Sequence, residues 1–195
     1  MSRIEGPVIG LFGGAFNPPH MAHVMAMAWV LAGGKVDNVW VIPSGGHPFG
    51  KEMAPFPDRM EMCRRAFECF ADRIRILDIE GQPKTHYTVE TLERLAQLYP
   101  GYRWRWMMGS DTLEEADRWH AFDRVMQLAP PLMIPRQGHA DAQTEIHQGV
   151  ALPDLSSTMV REAIRNGQAE QIASLVPAAV ADWIERRRLY RSDPA

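Results

Sequence analysis

The sequence predicts an α/β fold built on a doubly wound, mostly parallel sheet. Short apolar runs rich in β-branched residues alternate along the chain with longer segments in which apolar residues recur at helical spacing. The apolar runs, interpreted as strands, are 8–12, 38–42, 74–79, 103–108 and 132–134. The predicted helices are 21–31, 57–70, 88–98 and 112–128, followed by two or three helices between 157 and 188. Because strands without a polar face need cover on both sides, we expect helices on both faces of the sheet, in a Rossmann-like arrangement.

Length and charge limit the domain count and the classes of partner. The 195 residues, 46% of them hydrophobic, predict a single domain over 1–195 with the C-terminal helices (157–188) packed on it. The 21 basic and 24 acidic side chains give a formal net charge of −3, so no global positive field draws the chain to a polyanion. The arginines at 186–188 and 191 suit the end of a helix, where the dipole favours positive charge. We therefore expect neither nucleic acid nor a membrane as a partner, and the sequence leaves a homo-oligomer open.

The sequence also predicts the cellular compartment. No stretch approaches the roughly 20 apolar residues that a membrane span requires, and the segment 1–14 is a short apolar run broken by glycines. Cys63 and Cys69 lie six positions apart in a predicted helix and so fall on different faces, which disfavours a disulfide or a zinc site. These features predict a cytoplasmic protein with reduced thiols.

The segment after the first predicted strand lies where parallel α/β sheets collect their ligands. Gly13 and Gly14 would let the main chain turn tightly and let its N–H groups approach a phosphate, although the segment is neither a dinucleotide fingerprint nor a P-loop. His20 and His23 stand three positions apart at the start of the next helix, so both imidazoles can face its positive end. Phosphate contact is the favoured interpretation; structural histidines or two metal ligands are the alternatives.

A second candidate anion site lies at residues 153–161, where three consecutive hydroxyl residues lead into an amphipathic helix. Ser156 or Ser157 is a suitable N-cap, so an ordinary capped helix would by itself explain the segment. Thr158 adds a third hydroxyl and Arg161 adds a planar cation one turn into the helix, which together suit a phosphate chain. Two such helix starts in one chain predict a nucleoside triphosphate as ligand.

Both segments resemble motifs of the nucleotidylyltransferase superfamily. Residues 13–23 are similar to its GG-x-F-(D/N)-P-x-H-x-(G/A)-H loop, and residues 155–161 are similar to its I-S-S-T-x-(I/V)-R motif. Further segments resemble the nicotinate-nucleotide adenylyltransferase family within it, namely 85–92, 109–119 and 134–138. The resemblance implies an adenylyltransferase that joins AMP from ATP to nicotinate mononucleotide and releases pyrophosphate in NAD biosynthesis.

The resemblance also implies a role for each matching residue. The implied catalytic residues, which would contact the phosphates of ATP, are His20, His23 and Arg161. The other residues assigned to ATP are Gly13, Gly14, Phe16, Lys51, Asp111, Arg136, Ser156, Ser157 and Thr158. The residues assigned to nicotinate mononucleotide are Thr85, His120 and Trp119, whose ring would stack on the pyridine ring. A Mg²⁺ ion bridging the phosphates is expected, with no protein ligand assigned to it.

Several of the matched positions have a second interpretation from the residues alone. Trp119 could be an ordinary packing tryptophan, Asp111 the N-cap of the following helix, and Arg136 a residue that closes a turn. Asn17 stands where many family members have Asp, and Ala22 stands where many have Gly.

Two alternative functions stay open. One keeps the ATP site but takes another acceptor, such as nicotinamide mononucleotide or phosphopantetheine. The other is a nucleotide sensor that has kept the fold and lost the chemistry. Asn17 and the loop 46–51 around Lys51, which is longer than the family's form, leave the sensor open. The intact His20 and His23 and the hydroxyl run with Arg161 favour the enzyme.

Overall fold

The computed structural model describes residues 6–46, 53–81, 87–109, 119–134 and 152–191. At its centre is a five-stranded sheet in which all neighbouring strands are parallel. The strands are β1 (Val8–Gly14), β2 (Asn38–Pro43), β3 (Ile74–Ile76), β4 (Arg103–Gly109) and β5 (Pro131–Ile134). Their order in the sheet is β3-β2-β1-β4-β5, which confirms the predicted α/β class and Rossmann-like arrangement.

The strand order reverses at β1, which pairs with β2 on one side and with β4 on the other. Leu11 of β1 lies opposite Trp40 of β2 and Trp106 of β4. Because the connections run from β1 toward opposite edges of the sheet, a crevice is expected beyond the carboxyl ends of β1 and β4. The segment 13–23 begins at this point of the sheet.

Two strands, β1 and β3, differ from the prediction by more than one residue at an end. β1 continues through Gly13 and Gly14, which pair with the end of β2, whereas the prediction ended at residue 12. β3 ends at Ile76, although the prediction ended at residue 79. The apolar run continues for three residues beyond the paired part of the strand. The apolar pattern thus located both strands but did not fix their ends.

Helices connect the strands and follow the last one. Within the described ranges they are α1 (Met21–Ala32), α2 (Phe56–Phe67), α3 (Thr88–Leu98), α4 (Phe122–Leu128), α5 (Ser157–Arg165), α6 (Ala169–Leu175) and α7 (Ala178–Arg187). The helix predicted at 57–70 ends at Phe67 and gives way to a 3₁₀ segment, Glu68–Arg73, in which Ala71 has a left-handed φ of 48°. The last three helices are those predicted between 157 and 188.

Alternate residues of β2 face two different apolar cores. Val39 and Val41 join a core formed with α1, α2 and the three C-terminal helices. Trp40 and Ile42 join a second core formed with α3 and α4. This alternation is the period-two pattern of a strand that is buried on both faces. Helices therefore cover both faces of the sheet, as the sequence predicts.

The C-terminal helix α7 is fastened to α2 by a buried carboxylate, Asp58. Its Oδ1 accepts hydrogen bonds from Trp183 Nε1 at 3.2 Å and from Arg187 Nε at 3.0 Å. One member of the arginine run therefore has an acidic partner inside the protein.

Both cysteines are free thiols. Cys63 is buried, and burial raises the pKa of its thiol, while Cys69 is exposed. Among the described residues, no helix has the length and apolar content that crossing a bilayer requires.

Candidate active site

The chain leaves β1 through a residue in a left-handed conformation. Neither Gly13 nor Gly14 has a positive φ, because both belong to the strand. The turn falls instead at Phe16, whose φ of 46° is uncommon for a residue with a Cβ. Gly13 is needed for packing, because a Cβ there would stand 2.7 Å from the ring of Trp106. The tight turn predicted at the glycine pair is therefore wrong, and its place is two residues later.

His20 and His23 lie against each other at the start of α1, as their spacing predicts. His20 is the N-cap residue and is buried, and the two ring centroids are 3.7 Å apart. The main-chain N–H of His20 donates to Nδ1 of His23 at 3.1 Å. Because Nδ1 of His23 accepts this bond, its proton is assigned to Nε2, so the ring is a neutral imidazole with one N–H donor.

The two segments predicted to share one triphosphate are in direct contact. Ser157 Oγ donates to the main-chain carbonyl of Pro18 at 2.8 Å across 139 positions. Arg161 Nη1 donates to the main-chain carbonyl of Asn17 at 2.8 Å across 144 positions. The start of α5 therefore fastens the β1–α1 loop (residues 15–20) from outside.

The three hydroxyls at the start of α5 have different surroundings. Ser156 is the N-cap, and its Oγ accepts the main-chain N–H of Met159 at 3.3 Å. Thr158 is exposed, and its Oγ1 accepts a hydrogen bond from Arg161 Nη2 at 3.1 Å. Ser157 is the hydroxyl that reaches the loop. The ordinary capping role that the sequence left open thus belongs to Ser156.

Two further side-chain contacts hold the β1–α1 loop. The Oδ1 atom of Asn17 accepts the main-chain N–H of Ala54 at 3.0 Å. This contact needs an oxygen acceptor and no charge, which explains how an amide serves where many family members have Asp. Arg59 Nη1 donates to the main-chain carbonyl of Ala15 at 2.8 Å. Sequence analysis missed Arg59, because nothing local distinguishes it from other arginines of an amphipathic helix.

A cavity of about 440 Å³ opens beyond the carboxyl ends of β1 and β4. Gly13, Gly14, His20 and His23 all line it, and so does Ala22, where many family members have Gly. Its volume falls within the usual range of pockets for small ligands, roughly 300–1,000 Å³. The crevice expected at the reversal of strand order is therefore present, and it carries the predicted histidine pair.

Trp119 lines the same cavity and is half-buried. Its ring packs edge-on against Trp106 and Phe122, with centroids 6.1 Å away in both cases. It therefore packs against neighbours and borders the cavity at once, so the two interpretations from the sequence are compatible. His120 is exposed, and its ring lies on that of Tyr87 with centroids 4.4 Å apart.

The remaining assigned residues lie outside the described ranges. They are Lys51, Thr85, Asp111 and Arg136. Their roles stay predictions from the resemblance.

Glu80 is a lining residue that sequence analysis missed. Its Oε1 accepts a hydrogen bond from Thr91 Oγ1 at 3.1 Å, and its carboxylate also accepts the main-chain N–H of Gly45. Burial raises the pKa of Glu80 above its ordinary value, and the two hydrogen bonds oppose that shift. The available signal was an acidic residue directly after a predicted strand, at the edge of the sheet where ligands collect.

The described residues do not form a metal centre of their own. No group of three or more His, Cys, Asp or Glu side chains within those ranges lies close enough to hold an ion. The two histidines of α1 therefore lack the further protein ligands that a zinc site would require in this part of the chain.

Comparison with known proteins shows to which family the chain belongs. Residues 11–163 match the family described as cytidylyltransferase-like. A protein of Anaeromyxobacter dehalogenans (strain 2CP-C), named "Probable nicotinate-nucleotide adenylyltransferase", is 42% identical over 95% of this chain and 98% of its own length. A protein of Myxococcus xanthus with the same name is 36% identical over 93% of this chain and 94% of its own.

Solved structures show the same fold at lower identity. Nicotinic acid mononucleotide adenylyltransferase of Plasmodium falciparum, solved in complexes with NaAD and with APC, superposes with TM-scores of 0.80 and 0.81. The two proteins are 18% identical, and the match covers 94% of this chain and 97% of the other. On the family match and on relatives that are 36% and 42% identical over nearly the whole length, this chain belongs to the nicotinate-nucleotide adenylyltransferase family.

Proposed function

We propose that this protein transfers AMP from ATP to nicotinate mononucleotide, giving nicotinate adenine dinucleotide and pyrophosphate. The observation that carries this proposal is the direct contact between the two anion segments, Ser157 to Pro18 and Arg161 to Asn17, beside the cavity that His20 lines. The choice of nicotinate mononucleotide as the acceptor is supported by the names of the relatives described above. One domain, 1–195, would perform the whole reaction in NAD biosynthesis.

The reaction requires no nucleophile from the protein. A phosphate oxygen of the mononucleotide attacks the α-phosphorus of ATP in line, the new P–O bond forms, and the bond to the β-phosphate oxygen breaks as pyrophosphate leaves. Such catalysis consists of positioning and of fixed donors aimed at the developing charge. The residues proposed below therefore act as hydrogen-bond donors and cations.

We assign the histidine pair to the α- and β-phosphates. His23 has its acceptor nitrogen engaged by the main-chain N–H of His20, which leaves Nε2–H as the donor of this ring. His20 is buried at the N-terminus of α1, where the helix dipole favours an anion. The main-chain N–H groups after Gly13 and Gly14, up to Phe16, would supply further donors along the same wall.

We assign the start of α5 to the departing β,γ-phosphates. Ser157 and Arg161 already hold the β1–α1 loop, and the guanidinium has five N–H groups in all. Ser156 and Thr158 would complete the helix-start site. Lys51, Asp111 and Arg136 are proposed ATP contacts from the resemblance.

The acceptor would lie against Trp119, with its pyridine ring stacked on the indole. Thr85 and main-chain groups near Trp119 and His120 would hold the nicotinate carboxylate. His120, the residue after Trp119, is exposed, and its ring lies on that of the exposed Tyr87.

Mg²⁺ is proposed to enter with ATP and not to be held by a protein cluster. This proposal is supported by the described residues, among which no group of three or more His, Cys, Asp or Glu side chains is placed to hold an ion. Bound to phosphate oxygens and water, the ion would neutralise phosphate charge.

The decisive experiment compares acceptors. The purified protein is incubated with ATP, Mg²⁺ and one acceptor at a time: nicotinate mononucleotide, nicotinamide mononucleotide or phosphopantetheine. We expect equimolar pyrophosphate and dinucleotide with the nicotinate acceptor, and lower kcat/KM with the others. Turnover only with another acceptor would overturn the acceptor assignment. If the protein binds ATP but shows no turnover with any acceptor, the enzyme assignment is wrong and the nucleotide sensor takes its place.

A substitution separates acceptor binding from ATP binding. Trp119→Ala is expected to raise KM for nicotinate mononucleotide by about fivefold or more, since an aromatic pair contributes roughly 1 kcal/mol beyond its area, and to leave KM for ATP unchanged. Trp29→Ala is the matched control, because Trp29 does not line the cavity and lies over Lys35 instead. A rise in KM for ATP alone would contradict the assignment of Trp119.

A further inference from the structure

Arg59 is a buried arginine bonded to main-chain oxygens. It is 1% exposed, although it stands near the N-terminal end of α2. Its Nη1 donates to the carbonyl of Ala15 at 2.8 Å and its Nε donates to the carbonyl of Ala54 at 3.0 Å. The guanidinium also lies over the ring of Phe56, 5.3 Å from its centroid. The side chain thus connects the beginning of α2 and the residues just before it with Ala15, 44 positions earlier in the chain.

The charge of Arg59 has no carboxylate bonded to it within the described residues. The carboxylate of the adjacent Asp58 accepts hydrogen bonds from Trp183 and Arg187 of α7 instead. Burial lowers the pKa of Arg59, and Cys63, Tyr190 and Glu80 oppose that shift. An arginine keeps its proton even so, because its ordinary pKa is far above neutrality. A positive charge therefore lies buried behind the β1–α1 loop and is bonded to carbonyl dipoles.

The bond to Ala15 also sets the direction of the peptide unit that follows. In a trans peptide the C=O and the next N–H point in opposite directions, so the N–H of Phe16 is turned away from Arg59. Phe16 itself has the left-handed φ of 46°, a conformation that persists only when the surroundings hold it. Arg59 holds the peptide before Phe16, and Arg161 holds the carbonyl of Asn17 after it.

From these contacts we infer that Arg59 is a positioning residue for the ATP phosphates, which orients the β1–α1 loop and adds a buried positive charge behind it without touching substrate. The inference rests on the proposed function, because it takes the loop to be the place where the triphosphate binds. A bonded cation behind the loop favours an anion in front of it, since a buried charge is weakly screened.

The test uses two substitutions of Arg59 and one control. Arg59→Met removes the charge and both hydrogen bonds. Arg59→Lys keeps the charge, but the lysine ammonium lacks the planar guanidinium with which arginine donates to two carbonyls at once. Arg187→Met is the control, because it removes an ion pair of Asp58, the neighbour of Arg59, without a contact to the loop. For each protein the dissociation constants of a non-cleavable ATP analogue and of nicotinate mononucleotide are measured, together with Tm.

We expect Arg59→Met to raise the dissociation constant of the ATP analogue at least tenfold and that of nicotinate mononucleotide less than threefold. Arg59→Lys should lie between this variant and the wild type, and Arg187→Met should lower Tm and leave both constants unchanged. A folded Arg59→Met protein that binds the analogue within twofold of the wild type would overturn the inference. An equal loss of affinity for both ligands would also overturn it, since that indicates general packing.

A measurement on the unaltered protein covers the case in which neither Arg59 variant folds. In ¹⁵N-labelled wild-type protein, the Nε–H resonance of Arg59 should shift when the ATP analogue is added and should not shift with nicotinate mononucleotide. No shift with the analogue contradicts the inference. Failure of the proposed function is seen separately, as absence of turnover in a wild-type protein that still binds the analogue. A wild type that binds no analogue overturns both.

Discussion

The guanidinium of Arg161 donates a hydrogen bond of 2.8 Å to the main-chain carbonyl of Asn17, 144 positions earlier in the chain. The same guanidinium donates to Thr158 at 3.1 Å, so it connects the start of α5 with the β1–α1 loop. A side chain predicted to bind phosphate is thus also one that shapes the loop expected to bind phosphate. Its removal is expected to affect ATP in two ways, through lost charge and through a loosened loop.

Arg161→Ala is therefore expected to lower kcat/KM for ATP by at least about a hundredfold, the usual effect of losing one fixed donor to developing charge. Arg161→Lys should recover part of this loss, since it keeps the charge and loses the planar fork. Steady-state turnover measures both. Arg165→Ala, an exposed arginine in the last turn of the same helix, is the control and should leave turnover unchanged. Activity of Arg161→Ala within threefold of the wild type would contradict the assignment.

Substitution of His20 separates its catalytic role from its role as N-cap. His20→Ala is expected to lower turnover by about two to three orders of magnitude, the usual effect of losing one donor to developing charge. His20→Asn supplies one of the preferred N-cap residues and so should keep Tm near the wild-type value while losing turnover to the same extent. Turnover and thermal unfolding of both variants are compared. Full activity of the Asn variant would show that His20 serves only as a cap.

Gly13→Ala tests the packing of β1 against β4. The added Cβ would meet the ring of Trp106 at 2.7 Å, in a region packed on both faces of the sheet. We expect a loss of about 1–3 kcal/mol in the free energy of unfolding, typical of overpacking a core. Gly46→Ala is the matched control, because a Cβ there has nothing within 4 Å, and it should change the free energy by less than about 0.5 kcal/mol. Equal effects of the two changes in chemical denaturation would contradict the packing argument.

Glu80 predicts a specific dependence of stability on pH. Its folded-state pKa is raised above the ordinary 4.5, so the folded protein binds this proton more tightly than the unfolded chain does. This tighter proton binding contributes to the free energy of unfolding. The contribution is complete below pH 4.5 and is lost as the pH rises through the folded-state pKa of Glu80. Glu80→Gln removes this titrating group. The free energy of unfolding of the variant, relative to that of the wild type, should therefore increase as the pH rises above 4.5.

The comparison is made by chemical denaturation between pH 4 and pH 8. Glu93→Gln serves as control, because the Glu93 carboxylate is half-exposed, pairs with Arg124 at the surface and lies outside the cavity lining. Parallel curves for the wild type and Glu80→Gln would mean that Glu80 does not titrate in the predicted direction.

The patterns of the sequence predicted what short stretches of chain determine by themselves. Apolar runs located each strand of the described ranges, and helical spacing placed His20 and His23 on one side of α1, where their rings are 3.7 Å apart. The same patterns could not fix strand ends, which depend on partners: Gly13 and Gly14 remain in β1 because β2 pairs with them.

The meeting of residues 13–23 with 155–161 was expected for two reasons. Each segment is a helix-start anion site that suits one triphosphate, and both segments resemble motifs of one superfamily. Arg59 and Glu80 had no such motif, and their roles depend on three-dimensional neighbours: the Ala15 carbonyl in one case, Thr91 and Gly45 in the other. The need for a glycine opposite Trp106 is equally invisible along the chain.

A crystal structure of the protein with a non-cleavable ATP analogue and nicotinate mononucleotide tests the central claim most directly. The account predicts one triphosphate contacted from both sides, by His20 and His23 at the start of α1 and by residues 156–161 at the start of α5, with the mononucleotide against Trp119. Phosphates bound by only one of these segments, or outside the cavity beyond β1 and β4, would contradict it.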